Sequence, residues 1–77
     1  RRKDIVKTVH KRMEKARVEI RNLRRDAADH LKKEEREGVM GTDEIHRQLE
    51  TLQRITDRAI ADVDRLGAVK EQEVMEV

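Results

Sequence analysis

Apolar residues recur at steps of three or four along the first half of the chain, a spacing that places them on one face of an α-helix. The series is Ile5, Val9, Met13, Ala16, Ile20, Leu23, Ala27 and Leu31. Gly38 is the first residue to interrupt the pattern, and glycine suits the left-handed position just past a helix end. The cations Lys32, Lys33 and Arg36 favour the negative end of a helix dipole. The pattern therefore predicts a helix over about residues 2–37.

A second apolar series with the same spacing follows a glycine-bounded turn at residues 38–41. Its members are Ile45, Leu49, Leu52, Thr56, Ala59, Val63 and Leu66. Thr42 is suited to the N-cap position, and Asp43 and Glu44 favour the positive end of the helix dipole. We predict a second helix over about residues 43–75. Because the turn is short, the two helices are expected to lie side by side in opposite directions.

The apolar surface of the second helix is wider than one partner helix can cover. Three further residues widen the stripe to roughly 140° at 100° per residue: Ile55, Ile60 and Val74. The pattern also continues past Gly67 through Val69 and Val77, although glycine costs about 1 kcal/mol against alanine in a helix. A two-helix hairpin would leave this surface in water. The sequence thus predicts a third helix, supplied by a longer parent protein or by self-association with a second copy.

Composition favours long, solvated helices. The chain has no Pro, Cys or aromatic residue, and 47% of its residues are charged. Strand-favouring residues are too few and too scattered for a sheet. Low hydrophobicity and high charge also fit disorder, but the regular apolar spacing argues against it. The chain starts at Arg1 rather than Met and shows no signal peptide or membrane-spanning run, so we interpret it as a piece of a longer protein.

Charge divides unevenly between the two predicted helices. Residues 1–37 carry fourteen Lys and Arg against eight Asp and Glu, a net charge of +6, whereas residues 38–77 carry five against nine, a net of −4. On the first helix a basic stripe falls within about 60° and contains no acid of that helix: His10, Arg17, Arg21, Arg24 and the small Ala28. Arginines spaced in this way suit successive phosphates. An ordinary solvated face with ion pairs to nearby acids fits the same residues, and the pattern alone leaves both interpretations open.

Residues that could perform catalysis or hold a metal ion do not form a recognisable pattern. His10, His30 and His46 lie on different faces or helices, without the spacing of metal ligands. The chain has neither a serine nucleophile nor a glycine-rich phosphate loop. We therefore expect no catalytic residue, no metal site and no cofactor.

Several segments resemble the ribosome recycling factor family. The longest is Ala16-Arg17-Val18-Glu19-Ile20-Arg21-Asn22-Leu23-Arg24-Arg25-Asp26-Ala27, and the entry to the same helix, Arg1-Arg2-Lys3-Asp4-Ile5-Val6-Lys7, also matches the family pattern. Leu52-Gln53-Arg54-Ile55-Thr56-Asp57 and the Met75-Glu76-Val77 end resemble it as well. The resemblance covers the whole chain. The departures, Gly41-Thr42 and Gly67-Ala68-Val69, lie away from the basic stripe.

The resemblance implies an all-α fold in which this antiparallel hairpin supplies two of the three long helices of a three-helix bundle. The first helix and an inserted β domain would belong to the parent and precede Arg1. The implied function is a cytoplasmic translation factor, not an enzyme, which splits the post-termination ribosome with elongation factor G and GTP. The bundle would dock on large-subunit ribosomal RNA through Arg2, Arg21 and Arg24. Arg17 and Arg25 are added as candidate RNA contacts from their positions alone.

Two other interpretations fit the composition. The first is a purely structural, charged antiparallel coiled coil that mediates interactions. The second is a small ribosomal protein built on a helical hairpin, which would be present on every large subunit and resist high salt.

Overall fold

Two long helices account for almost the whole of the computed structural model, which describes residues 1–76. Helix α1 spans Arg2–Arg36 and helix α2 spans Thr42–Glu76, each of 35 residues. No strand occurs within residues 1–76. Val77, expected to continue the apolar pattern, lies outside the described residues. The prediction of an all-helical chain is confirmed.

The turn between the helices begins with a glycine in the left-handed conformation. Gly38 has a φ of 73°, which glycine adopts without the steric cost of a Cβ atom. The Gly38 N–H donates to the Glu35 carbonyl at 3.1 Å, and the Val39 N–H donates to the Glu34 carbonyl at 3.0 Å. These two bonds form a Schellman motif, which satisfies carbonyls that α1 leaves free. The role predicted for Gly38 is confirmed.

Helix α2 starts one residue earlier than its sequence suggests. The Ile45 N–H donates to the Gly41 carbonyl at 3.0 Å, so Gly41 occupies the N-cap position. Thr42, predicted as the N-cap, is instead the first helical residue. Asp43 and Glu44 lie in the first turn, as the dipole argument predicted. The physical reason for the shift is that the Gly41 carbonyl already accepts the first helical hydrogen bond.

Contacts between the helices establish their antiparallel direction. Arg2 Nη1 donates to the Met75 carbonyl at 3.5 Å, and His10 Nε2 lies 3.1 Å from a Glu71 carboxylate oxygen. Arg17 Nη2 lies 2.7 Å from Asp64 Oδ1, closer to the turn. The hairpin measures 57 × 15 × 9 Å, which is long and thin. The antiparallel helical hairpin predicted from the short turn is confirmed.

Small residues occupy much of the line along which the helices meet. The buried residues are Ala28, Ile45, Thr56 and Gly67. A Cβ atom built on Gly67 would collide with the Met13 side chain, so glycine permits the close approach at that point. The Thr56 hydroxyl donates to the Leu52 carbonyl at 2.8 Å and is therefore satisfied within its own helix.

Because the helix contact follows these small residues, several large apolar side chains lie beside it rather than in it. Leu23 and Leu66, which follow the apolar spacing of their helices, are 69% and 59% exposed. Ile55 is 62% exposed, as the widened stripe predicted. Helical spacing places these three with Ile5 on one side of the hairpin, which we call the apolar side. Ile60, expected to extend the same surface, is half-buried on the opposite side.

Candidate nucleic-acid interface

A groove between the helices runs along the side of the hairpin opposite the apolar side. It encloses about 590 Å³, and we call it the arginine groove. Helix α1 contributes Arg21 and Arg24 to its wall. Helix α2 contributes the remaining lining residues: Gln53, Thr56, Asp57, Ile60, Ala61 and Asp64. The groove thus combines cations of one helix with acceptors and apolar groups of the other.

Arg21 and Arg24 share this wall because three residues return a helix to nearly the same face. Arg21 is exposed and Arg24 is half-buried. Within residues 1–76, neither guanidinium lies within 4 Å of a carboxylate oxygen. Their N–H donors are therefore available to a ligand. A guanidinium binds a phosphate through two parallel hydrogen bonds, which makes this pair suitable for an RNA backbone.

Arg17 has a different environment from its neighbours on the basic stripe. Its Nε donates to Asp64 Oδ1 at 2.8 Å, and its Nη1 donates to Glu14 Oε2 at 3.1 Å. The hydrogen bond with Asp64 is the main cause that raises the pKa of Arg17 above its ordinary value. The stripe contains no acid of α1, but Asp64 of α2 interrupts it. Arg17 consequently joins the two helices, and its role in RNA binding stays a prediction.

Arg2 and Arg25 lie apart from the arginine groove. Arg2 is at the open end of the hairpin, roughly 28 Å along the axis from Arg21 at 1.5 Å per residue. The Arg25 side chain is 63% exposed, and its Nε lies 3.9 Å from Asp26 Oδ1. Of the five arginines selected from the sequence, the structure gathers only Arg21 and Arg24 in one groove.

Four of the five cations in the described part of α2 are paired with acids of their own helix, and Arg54 donates to the Thr51 hydroxyl at 3.3 Å instead. Arg47 pairs with Glu44, Lys70 lies 3.3 Å from Glu73, and Asp62 accepts from Arg65 at 3.3 Å. Arg58 lies 3.6 Å from the same carboxylate of Asp62. These i,i+3 and i,i+4 pairs are the ordinary arrangement of a solvated helix. The cations that remain for a polyanion therefore belong mostly to α1.

The α2 residues of the groove were not found from the sequence. Arg21 and Asp57 are far apart in the chain, and only the helix pairing brings them to one groove. The position of the turn could have predicted them. In an antiparallel hairpin centred between Val39 and Met40, two residues lie opposite each other when their sequence numbers add up to about 79. That rule places Asp57 opposite Arg21 and its neighbour Arg24.

The three histidines are exposed at the surface. His10 lies against Glu71, His30 lies 3.1 Å from Glu34, and His46 is exposed. Across the described part of the chain, no group of three or more His, Cys, Asp or Glu could hold a metal ion. No described helix is long and apolar enough to span a bilayer.

Comparison with known proteins gives a consistent result. The sequence profile of a family described as "Ribosome recycling factor" matches residues 1–75. A ribosome-recycling factor of Bartonella henselae is 52% identical over all 77 residues, which cover 41% of that protein. The ribosome-recycling factor of Agrobacterium fabrum is 51% identical over the whole chain and 42% of its own length. One from Rhizobium etli is 49% identical with 41% of its length covered.

Proposed function

The chain belongs to the ribosome recycling factor family, and we propose that it is the ribosome-binding part of a longer translation factor. The chain spans 41% of the length of the Bartonella henselae relative, so the activity of the whole factor extends beyond these residues. In this proposal the full-length factor separates the post-termination ribosome into its subunits. The present hairpin holds the factor on the large subunit.

The apolar side supports a bundle of three helices in the full-length factor. Leu23, Ile55 and Leu66 expose most of their surface in the hairpin alone. Burial of one such side chain stabilises a fold by about 1.5–3 kcal/mol. We therefore place another helix of the parent on this side. A β domain joined to the bundle would precede Arg1 in the chain.

The observation that carries the RNA-binding proposal is the arginine groove with its two unpaired guanidinium groups. Arg21 and Arg24 supply donors that no acid of the described chain occupies, on the more basic of the two helices. We assign them, with Arg2, to backbone contacts with large-subunit ribosomal RNA. Arg17 and Arg25 are weaker contacts in this scheme, since Arg17 is shared with two carboxylates and Arg25 faces another direction.

The mechanism that we propose is mechanical. Contacts to phosphate and sugar position a rigid helical body on folded RNA by shape and charge, without requiring a base sequence. Elongation factor G would then hydrolyse GTP and push on the bound factor, so that the subunits separate. The hairpin itself would carry out no chemistry and would act in the cytoplasm.

Co-sedimentation with purified large ribosomal subunits tests this proposal. We expect Arg21→Ala combined with Arg24→Ala to lower the affinity of the full-length factor about 10- to 100-fold, at about 1.4 kcal/mol per tenfold. The matched control is Arg58→Ala combined with Arg65→Ala, which removes the same charge from the other helix. That control should leave the affinity unchanged, because both residues are paired with Asp62.

Equal losses in the two double variants would show that only net charge matters, and the site assignment would be wrong. Absence of binding by the wild-type factor would favour a charged structural hairpin instead. Circular dichroism of each variant distinguishes lost binding from lost folding.

A further inference from the structure

The acidic wall of the arginine groove is unexpected for a surface that binds only phosphates. Asp57 and Asp64 both line the groove beside Arg21 and Arg24. A carboxylate repels a phosphate oxygen, so a groove selected for backbone contacts alone would carry neutral or basic groups at these positions. The two carboxylates therefore need separate explanations.

Asp64 is explained by its ion pair with Arg17. The Arg17 Nη2 atom lies 2.7 Å from Asp64 Oδ1, so this carboxylate is neutralised across the helix contact. Asp57 is different, because its only described side-chain bond comes from a neutral group. Gln53 Nε2 donates to Asp57 Oδ1 at 2.9 Å. Asp57 is exposed and keeps acceptor capacity that faces solvent.

The Gln53–Asp57 pair presents mainly acceptors. The Gln53 amide uses one of its two N–H groups on Asp57, which leaves its second N–H, its carbonyl oxygen and the second Asp57 oxygen available. The neighbouring Thr56 adds no free hydroxyl hydrogen, because it donates to Leu52. Ile60 and Ala61 supply an apolar surface next to these acceptors. The cationic donors thus come from α1 and most of the acceptors from α2.

We propose that the arginine groove takes up an unstacked guanine nucleotide of single-stranded RNA. This proposal rests on the proposed function, which brings RNA to the groove. The nucleotide's phosphate would lie against Arg21 and Arg24, and the base would lie over Ile60 and Ala61. Its Watson–Crick edge would donate to Asp57 and Gln53. Protein recognition of RNA sequence depends on such unstacked bases in loops and ends.

Guanine is selected because of its hydrogen-bond donors. Its N1–H and N2–H₂ groups are adjacent on the Watson–Crick edge, so one can donate to the free Asp57 oxygen and the other to the Gln53 carbonyl oxygen. Adenine and cytosine each present one amino group there beside an acceptor nitrogen, which would face the Asp57 carboxylate. Uracil presents a single N–H between two carbonyl oxygens.

The test compares RNA stem-loops that differ at one position of an all-uridine loop, which holds guanosine, inosine, adenosine or cytidine. The full-length factor is titrated with each at about 50 mM salt, where contacts to the backbone are strong. We expect the guanosine loop to bind about tenfold more tightly than the adenosine loop. Inosine, which lacks the N2 amino group, should fall between them.

Variants separate base recognition from binding to phosphate. Asp57→Asn should reduce the ratio of the affinities for the guanosine and adenosine loops to about one. The variant should still bind all four loops through their phosphates. Glu50→Gln removes a charge outside the groove on the same helix and should keep the ratio. Arg21→Ala with Arg24→Ala should weaken binding of every loop.

Equal wild-type affinities for all four loops would overturn the guanine proposal and leave the proposed function intact. An unchanged ratio in Asp57→Asn would also overturn it. Failure of the wild-type factor to bind any loop and the large subunit would overturn both proposals together. Binding to the large subunit without binding to any loop would overturn the guanine proposal alone.

Discussion

The two sides of the hairpin differ although adjacent residues build them. Leu23 is 69% exposed on the apolar side, whereas the next residue, Arg24, lines the arginine groove on the other side. One side presents aliphatic carbon to water and gains free energy when another surface covers it. The other presents guanidinium donors that remain hydrated until an anion arrives. A thin hairpin can thus use one side for folding and the other for binding.

The contact line keeps the two sides apart. Ala28, Thr56 and Gly67 are small, so the helices meet closely and larger side chains project to either side. Arg17 crosses this line to Asp64 on α2. Substitutions on the apolar side should therefore change stability, and substitutions in the arginine groove should change binding.

The largest expected effect comes from a charge on the apolar side. In the full-length factor, Leu23→Asp should lower the free energy of unfolding by at least about 3 kcal/mol, because a buried carboxylate without a partner is added to the loss of a leucine. In the isolated chain, measured at concentrations where it is monomeric, the same change should alter it by no more than about 0.5 kcal/mol, as Leu23 is then already in water. Urea unfolding of both proteins measures the difference.

Val18→Asp is the control for this comparison. Val18 lies away from the apolar side on the same helix and is 44% exposed. Val18→Asp should change the free energy of unfolding only slightly in both proteins. We also expect the isolated chain to be only partly folded or to self-associate, and Leu23→Asp to reduce any self-association in sedimentation equilibrium. A sharp thermal unfolding transition of the monomeric isolated chain, independent of its concentration, would contradict the proposal that another helix must cover the apolar side.

The second prediction concerns the salt dependence of binding through the arginine groove. Each phosphate contact that is lost reduces the slope of log affinity against log salt by about one. Arg21→Ala with Arg24→Ala should thus flatten the slope for large-subunit binding by about two between about 50 and 200 mM salt. The Arg58→Ala, Arg65→Ala control should keep the wild-type slope. A flattened slope in that control would locate the RNA contacts on α2 instead.

A third prediction tests the contact line itself. Gly67→Ala gains about 1 kcal/mol of helix propensity but forces Met13 out of its position, at a cost of about 1–3 kcal/mol. We expect a net destabilisation of about 1 kcal/mol in thermal or urea unfolding. Because the collision involves one flexible side chain, Met13→Ala combined with Gly67→Ala should cost less than the sum of the single changes. Additive effects would show that the helices do not approach closely at Gly67.

The smallest expected effect lies outside both sides, at the start of α2. Hydrogen bonds from Gln48 and then Arg47 lower the pKa of Glu44 below its ordinary value. A lowered carboxyl pKa stabilises the folded state above the unfolded pKa, and this contribution is lost as the pH falls through the folded pKa. Gln48→Ala should raise the pKa of Glu44 toward its ordinary value in a carbon-13 NMR titration. The affinity of this variant for the large subunit should equal that of the wild type. A lower affinity would show that the interface extends to the start of α2.

Much of the hairpin could be predicted because its causes are local. The three-and-four spacing predicts both helices, and Gly38 predicts the left-handed end of α1. Asp43 and Glu44 predict the start of α2 to within one residue. The excess of cations on the first helix also follows from the sequence, whereas the choice of Arg21 and Arg24 came from the family resemblance.

The helical hairpin, its turn and the basic character of α1 follow from the sequence alone, since each depends on neighbours within a few turns of one helix. Which side chains are buried and which cations stay unpaired depends on how one helix packs against the other. Leu23 and Leu66 follow the apolar spacing but lie beside the contact, because small residues set its line. Arg17 resembles Arg21 in sequence, yet Asp64 of the other helix neutralises it. These outcomes depend on distances between residues remote in the chain, which helix periodicity does not specify.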